Sequence, residues 1–193
     1  MGDPVGMKET IEVLNRMVAD GVVSADAIGG AVAAFNYIEP ASTDDLDILV
    51  CFDTVRASGL VTLTPILTYL KARGYTEFEK EGIKIEGWPV QFLPVASDLD
   101  AEALADATAI DIEINVTVGS VPTRVLTAEH VMAKALEIGR PKDLIRISQF
   151  IESDAFDASI LSGIMERHGL QTKWTSFCAR FEITDPCKQA PKP

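Results

Sequence analysis

The chain has 193 residues, 47% of them apolar and 24% charged, which excludes a disordered polymer and is long enough for one domain with a buried core. No apolar run approaches the roughly 18–20 residues of a membrane helix, and the N-terminus lacks a basic stretch leading into an apolar one, so neither a membrane span nor a signal peptide is expected. The net charge of −12 is uneven: residues 1–120 carry 7 Lys+Arg against 20 Asp+Glu, and residues 121–193 carry 10 against 9, which disfavours a broad nucleic-acid surface on the first part.

Met7 is expected to be the natural start, with the first six residues appended. Lys8 to Ala19 then reads as an amphipathic helix with Ile11, Leu14 and Val18 at helical spacing. Ser24 to Gly30 reads as a short strand running into a Gly29-Gly30 turn, and Ala31 to Tyr37 as a small, tightly packed helix. After the loop Pro40 to Thr43 comes a strand from Asp45 to Phe52, followed by a helix from Leu63 to Arg73 that Gly74 ends. Phe78 to Glu86 reads as a strand, Gly87-Trp88-Pro89 as a turn and Val90 to Val95 as the returning strand, with a short helix from Asp98 to Asp106. Ile110 to Val118 and Val121 to Leu126 flank Gly119-Ser120, a two-residue hairpin turn signal.

From Thr127 the pattern turns helical. Thr127 is an N-cap for a helix to Ile138 that Gly139 ends, Pro141 opens the next helix to Glu152, and Asp157 to His168 makes another. Lys173 to Glu182 is expected as a short strand or docking segment and 184–193 as a frayed tail. The organisation expected is therefore a mixed-sheet core over 1–126, a helical portion over 127–183 and the tail. Cys51, Cys178 and Cys187 have neither metal-ligand spacing nor an even count, which fits reduced thiols in a cytoplasmic protein.

The chemistry-bearing stretch is Ser42-Thr43-Asp44-Asp45-Leu46-Asp47-Ile48-Leu49-Val50. Residues two apart on a strand share a face, so Asp45 and Asp47 project side by side while Leu46, Ile48, Val50 and Phe52 point the other way. Two like charges this close repel and resist desolvation, and a divalent cation is the usual neutraliser. With a glycine turn nearby, the pair suits metal-assisted phosphoryl or nucleotidyl transfer. The plainer alternative is a pair of solvated acids at a strand start. Lys134 lies one turn from Val131 and Ile138 on its helix, where an ammonium needs an anionic partner: a phosphate, or a core acid, or water reached by snorkelling. A polyanion would meet the metal or the basic residues Arg124, Lys134, Arg140, Lys142 and Arg146.

The order Gly29-Gly30, Asp45 with Asp47, a strand hairpin, Lys134 within Thr127 to Lys134, and Arg140-Pro141-Lys142-Asp143 resembles the nucleotidyltransferase superfamily, and within it the AbiEii-type toxins. The resemblance runs from about Gly29 to about Ile151. It implies an α/β (α+β) chain of the nucleotidyltransferase, polymerase β-like fold: a mixed β-sheet with flanking helices and a helical C-terminal portion. It implies Mg²⁺, or Mn²⁺, held by Asp45 and Asp47, with these and Lys134 catalytic. Gly29, Gly30, Thr43, Lys134, Arg140, Lys142 and Asp143 form the implied nucleotide contacts, Asp143 alternatively being a structural carboxylate at a helix start. The implied partners are an NTP, a tRNA or protein acceptor and an antitoxin, with no membrane.

Two departures from the family pattern stand out. Active members carry a third carboxylate on a neighbouring strand, where this chain has Gln91, whose amide ligates a cation through its carbonyl but takes no proton. Glu39-Pro40 stands where toxin-type members often have a basic residue. Gln91 leaves open a one-metal enzyme, a base from elsewhere, or a silent module that binds nucleotide or a protein partner.

Overall fold

In a computed structural model of the chain, residues 6–40, 43–52, 62–115 and 119–188 are described, except for the side chains of 113–115 and 119. Residues 1–5 of the six expected to be appended, the end of the expected strand at 116–118 and 189–193 of the expected tail lie outside them. The chain divides into two compact units, one of Met1–Val32 with Ala41–Leu126 and one of Ala33–Pro40 with Thr127–Pro193. The second thus takes in a segment, 33–40, that the sequence reading assigned to the core.

The first unit is built on strands β1 (Ala25–Ile28), β2 (Leu46–Cys51), β3 (Phe78–Glu79), β4 (Gly82–Ile85), β5 (Trp88–Pro94), β6 (Thr108–Asn115) and β7 (Gly119–Val125). They form one mixed sheet of order β3-β4-β5-β2-β1-β7-β6. The central strand β2 runs antiparallel to β1, with Ile28 opposite Ile48, and parallel to β5, with Asp47 opposite Gln91. Leu46, Ile48 and Val50 are at most 1% exposed, as the alternation requires, but Leu49 is buried as well. A strand in the middle of a sheet is covered on both faces, so partial access remains only towards its ends, at Asp47 and Cys51.

Helix α1 (Met7–Ala19) buries Thr10, Ile11, Val13, Leu14 and Met17, one residue round from the expected stripe, and leaves Val18 partly exposed. The buried Thr10 hydroxyl donates to Gly6 O at 2.7 Å and Ile85 O at 2.9 Å, and Asn15 Nδ2 donates to Pro122 O at 2.8 Å, which ties α1 to β4 and β7. The five-residue helix α2 (Gly30–Ala34) crosses the boundary between the units. Helix α3 (Thr64–Ala72) ends before Gly74, whose φ of +91° is the left-handed conformation glycine adopts freely. Helix α4 (Asp98–Ala105) opens on a reciprocal cap in which Ser97 Oγ accepts from Asp100 N and Asp100 Oδ2 accepts from Ser97 N.

The β-rich stretch differs from expectation in three places. Phe78 to Glu86 is not one strand but the hairpin β3–β4, turning at Lys80-Glu81 with Lys80 at φ +54°. Trp88 and Pro89 belong to β5 rather than to a turn. Pairing of β5 with β2 starts only at Val90, so Pro89, which has no N–H, faces β4 alone and interrupts nothing on the other side. Gly119 and Ser120 likewise open β7 instead of forming the turn.

The second unit holds α5 (Ala128–Ile138), α6 (Pro141–Glu152), α7 (Ala158–Arg167), α8 (Gln171–Arg180) and a 3₁₀ turn at Pro186–Lys188. Thr127 caps α5, Gly139 at φ +72° ends it, and Asp157 caps α7 by accepting from Ser159 N and Ile160 N at 2.8 and 3.1 Å. The Ser159 hydroxyl, which donates to Asp157 Oδ1 at 2.6 Å, and then these two backbone donors hold the Asp157 carboxyl below its usual range. Buried Glu129 accepts from Asp157 N at 2.7 Å and so joins α5 to the start of α7. Of the two expectations for 173–182, a short strand or a docking segment, the strand gives way to helix α8, because Trp174, Phe177 and Cys178 fall at helical spacing and are all buried. Trp174 Nε1 donates to Asp185 Oδ1 at 2.8 Å, which folds the segment after α8 back onto it. No helix among the described residues is long and apolar enough to cross a membrane.

Candidate functional site

The polar start of β2 brings together the site residues that the sequence assigned to the first unit. Asp45 lies one residue before β2 and Asp47 one residue inside it, both partly exposed, while the intervening Leu46 is fully buried. The strand period fixes the face of Asp47, and Asp45, two residues earlier in the segment that leads into β2, is its expected companion there. Thr43 Oγ1 donates to Asp45 Oδ1 at 3.1 Å, so Thr43 orients the first carboxylate from the loop before the strand.

The Gly29-Gly30 turn is fitted to the second. Gly29 N donates to Asp47 O at 2.8 Å, which commits that N–H to the strand rather than to a phosphate. Gly30 has φ +59°, and a Cβ built there would lie 2.0 Å from Asp47 Oδ2 and 2.9 Å from its Cγ. Only glycine allows the backbone this close to the carboxylate, and the turn therefore forms one wall of the aspartate site.

Across the parallel pairing, Gln91 stands beside Asp47 and shares its face. Its Nε2 donates to Glu81 Oε2 at 2.9 Å, which leaves the amide oxygen as its ligating atom. Glu81 occupies the β3–β4 turn. Its neighbour Lys80 places Nζ 3.1 Å from Asp44 Oδ2, and the acids Asp44, Asp45 and Glu79 push the Lys80 ammonium pKa up, Asp44 most. The turn is thus anchored on both sides of the aspartates, to the residue before them and to the strand beside them. The hairpin turn at Lys80-Glu81 interrupts the single strand expected here, and Gly82 was the available break signal.

The remaining predicted residues lie in the second unit. Lys134, on α5, pairs with Glu137 Oε2 at 2.5 Å and is about one-quarter exposed. Asp143 is 1% exposed; it accepts from Arg140 N, Nε and NH2 at 3.2, 2.7 and 3.2 Å, and Arg146 NH1 lies 3.7 Å away. A buried carboxylate held by two guanidiniums at a helix start favours the structural alternative for Asp143. Lys142 is exposed in the first turn of α6. In the first unit Arg124 NH2 donates to Leu104 O at 2.7 Å, and more weakly to Ala105 O and Ala107 O, so this basic residue serves the end of α4.

The donor set at β2, carboxylates with an amide carbonyl, is the hard-oxygen set that Mg²⁺ or Mn²⁺ accepts. No protein-family model matches the chain, and no curated protein sequence matches it. Among solved structures, an antigenic nucleotidyltransferase-like protein from Paracoccidioides brasiliensis is similar over 91% of this chain and 88% of its own, with 14% identity and a TM-score of 0.54. The antibiotic-resistance factor ANT(2'')-Ia in solution is similar over 91% of this chain and 97% of its own, with 14% identity and a TM-score of 0.48. The same factor in complex with adenylyl-2''-tobramycin matches over 89% and 96%, with 16% identity and a TM-score of 0.41. The first of these similarities shows that this chain has a nucleotidyltransferase-like fold.

Proposed function

We propose that the chain is a divalent-cation-dependent nucleotidyltransferase that moves a nucleoside monophosphate from an NTP to a hydroxyl acceptor. The observation that carries this reading is the Asp45–Asp47 pair at the open end of β2, walled by Gly30 and flanked by Gln91, in a nucleotidyltransferase-like fold. Asp45 and Asp47 would hold the Mg²⁺, with the Gln91 carbonyl as a further oxygen donor. The metal supplies neutralisation of the triphosphate charge. Thr43 and Gly30 fix the two carboxylates so that little reorganisation is needed when charge arrives. Lys134, Arg140 and Lys142 are the proposed phosphate contacts of the second unit, although Lys134 and Arg140 already have acidic partners to exchange.

Motif order alone supports the finer assignment, an AbiEii-type toxin that modifies a tRNA or protein and is restrained by an antitoxin. A second reading rests on Gln91, the neutral residue at the third-carboxylate position: a module that binds nucleotide and transfers nothing. Thermal shifts of the full chain with each NTP, with and without Mg²⁺, test both. Stabilisation that needs metal and nucleotide together and vanishes in Asp45→Ala/Asp47→Ala supports the site. Pyrophosphate release with an RNA, protein or small hydroxyl acceptor then separates enzyme from silent module, and release undiminished in Asp47→Ala would sink the proposal.

A further inference from the structure

We infer that the groove of the second unit between the end of α5, the start of α6 and the exposed side of α8 binds a small amphipathic anion, an organic carboxylate or sulfonate on an apolar body. The groove shares no residue with the aspartate site and does not depend on the nucleotidyltransferase reading. Its volume is about 390 Å³, within the roughly 300–1,000 Å³ of small-ligand pockets. Leu136, Ile138, Leu144 and Phe177 give it an apolar wall, and the ionisable side chains that line it are both cationic, Lys173 and Arg180.

The chain has 29 Asp+Glu against 17 Lys+Arg, so acids outnumber the cations available to them. Yet neither of these two exposed cations has an acidic side-chain partner among the described residues. Lys173 Nζ donates to Glu137 O at 2.6 Å and so caps the C-terminal end of α5. That contact offsets the negative end of the α5 dipole, which would otherwise repel an anion from this side of the groove. The Arg180 guanidinium lies 5.5 Å from the Phe181 ring centroid and keeps its fork of donors for another group.

Lys173 and Arg180 are seven residues apart on α8, which sets them about 10 Å apart along its axis. Lys173 marks the end of the groove at α5, where Ile138 is 51% exposed. Ser176, between the two cations, turns its hydroxyl hydrogen onto Thr172 O at 2.9 Å. An anionic head at Arg180 with an apolar body running towards Ile138 therefore meets a complementary surface at each end. The guanidinium takes a carboxylate or sulfonate through paired N–H groups, and the body removes apolar wall from water. Leu136, Leu144 and Phe177 are only 3%, 8% and 3% exposed, so the floor opens to a slender group rather than to a helix about 10 Å wide. A bare phosphate or a nucleic-acid backbone would use the cations and leave the apolar wall wet.

The test is fluorescence titration of the full chain with anilinonaphthalene sulfonate and with N-phenylnaphthylamine, the same kind of apolar body without the charge. The sulfonate is expected to bind tighter by about tenfold, the scale of a hydrogen bond to a charged group, and decanoate is expected to displace it. Arg180→Glu should abolish that preference and leave affinity for the neutral amine unchanged. Ile138→Asp, at a half-exposed position, should weaken both probes. Lys71→Glu on α3 changes the net charge by the same amount and should alter neither; a loss there equal to that in Arg180→Glu would reduce the effect to overall charge and overturn the site. Equal affinity of wild type for the two probes, or no binding of either, would also overturn it. Displacement of the sulfonate by polyglutamate and not by decanoate would assign the groove to an acidic protein segment and overturn the small-ligand assignment.

Discussion

Asp47 is confined by its neighbours more tightly than a solvated strand acid would be. Its carbonyl is bound by Gly29 N, and Gly30 Cα lies against its carboxylate. Gly30→Ala therefore combines two penalties: a left-handed residue with a side chain, about 1–2 kcal/mol, and displacement of the carboxylate from Cβ. Urea unfolding should show Gly30→Ala losing at least the first amount in wild type. In an Asp47→Ala background the loss should be smaller, because the Oδ2 and Cγ contacts are gone and only the 3.1 Å approach to Asp47 Cβ remains. Equal losses in both backgrounds would separate the turn from the carboxylate. Asp26, opposite Val50 on β1, is a second acid with a measurable signature. Burial raises its pKa above the ordinary 3.8, and the Arg124 charge only partly opposes this. The folded state then binds the proton more tightly than the unfolded chain, so Asp26 destabilises the fold increasingly as pH rises from 3.8 through its raised folded pKa. Asp26→Asn should flatten the stability profile across that window and be more stable than wild type above it. Denaturant unfolding at a series of pH values measures this, and an unchanged slope would refute it.

At the scale of elements, the helices of the second unit are held by their ends. Thr127 Oγ1 accepts from His130 N at 3.4 Å and lies 2.9 Å from His130 Nδ1, so one hydroxyl serves both the backbone cap and a buried ring. Thr127→Ala should cost about 1–2 kcal/mol in urea unfolding, and Thr127→Ser should recover most of it; a neutral Thr127→Ala would show that packing alone holds α5. This cap was readable in the sequence because Thr127 directly precedes an apolar helical pattern, as was α6, bounded by Pro141 and Glu152. The expectation that Asp45 and Asp47 share a face rests on a period of two and needs no knowledge of the partner strands. The β3–β4 hairpin was hidden, because Lys80 and Glu81 are not turn residues by composition and Lys80 takes its positive φ under tertiary constraint. The helical character of α8 was hidden because its aromatic residues also suit a strand, and burial of Trp174 and Phe177 on one helical face decides against that alternative.

For the molecule as a whole, acidity sets the terms on which the site exists. The chain carries −12, and Asp45 and Asp47 put two carboxylates at the open end of β2. Like charges close together on a sheet repel, by an amount comparable to the roughly 0.2–1 kcal/mol of a charged cross-strand pair, a penalty that salt screens at the surface. An arrangement kept at such a penalty is explained if a cation reverses it. Asp45→Asn/Asp47→Asn should therefore be more stable than wild type without divalent metal at low ionic strength, by about that amount. With Mg²⁺ at a hundredfold over its dissociation constant, binding adds about 2.7 kcal/mol to wild type alone, and the order should invert. Thermal unfolding with and without Mg²⁺ reads both halves in one series. A double variant less stable than wild type in the absence of metal would make the aspartates structural members of the sheet, and the reversal with Mg²⁺ is what distinguishes a site from a solvated acidic edge.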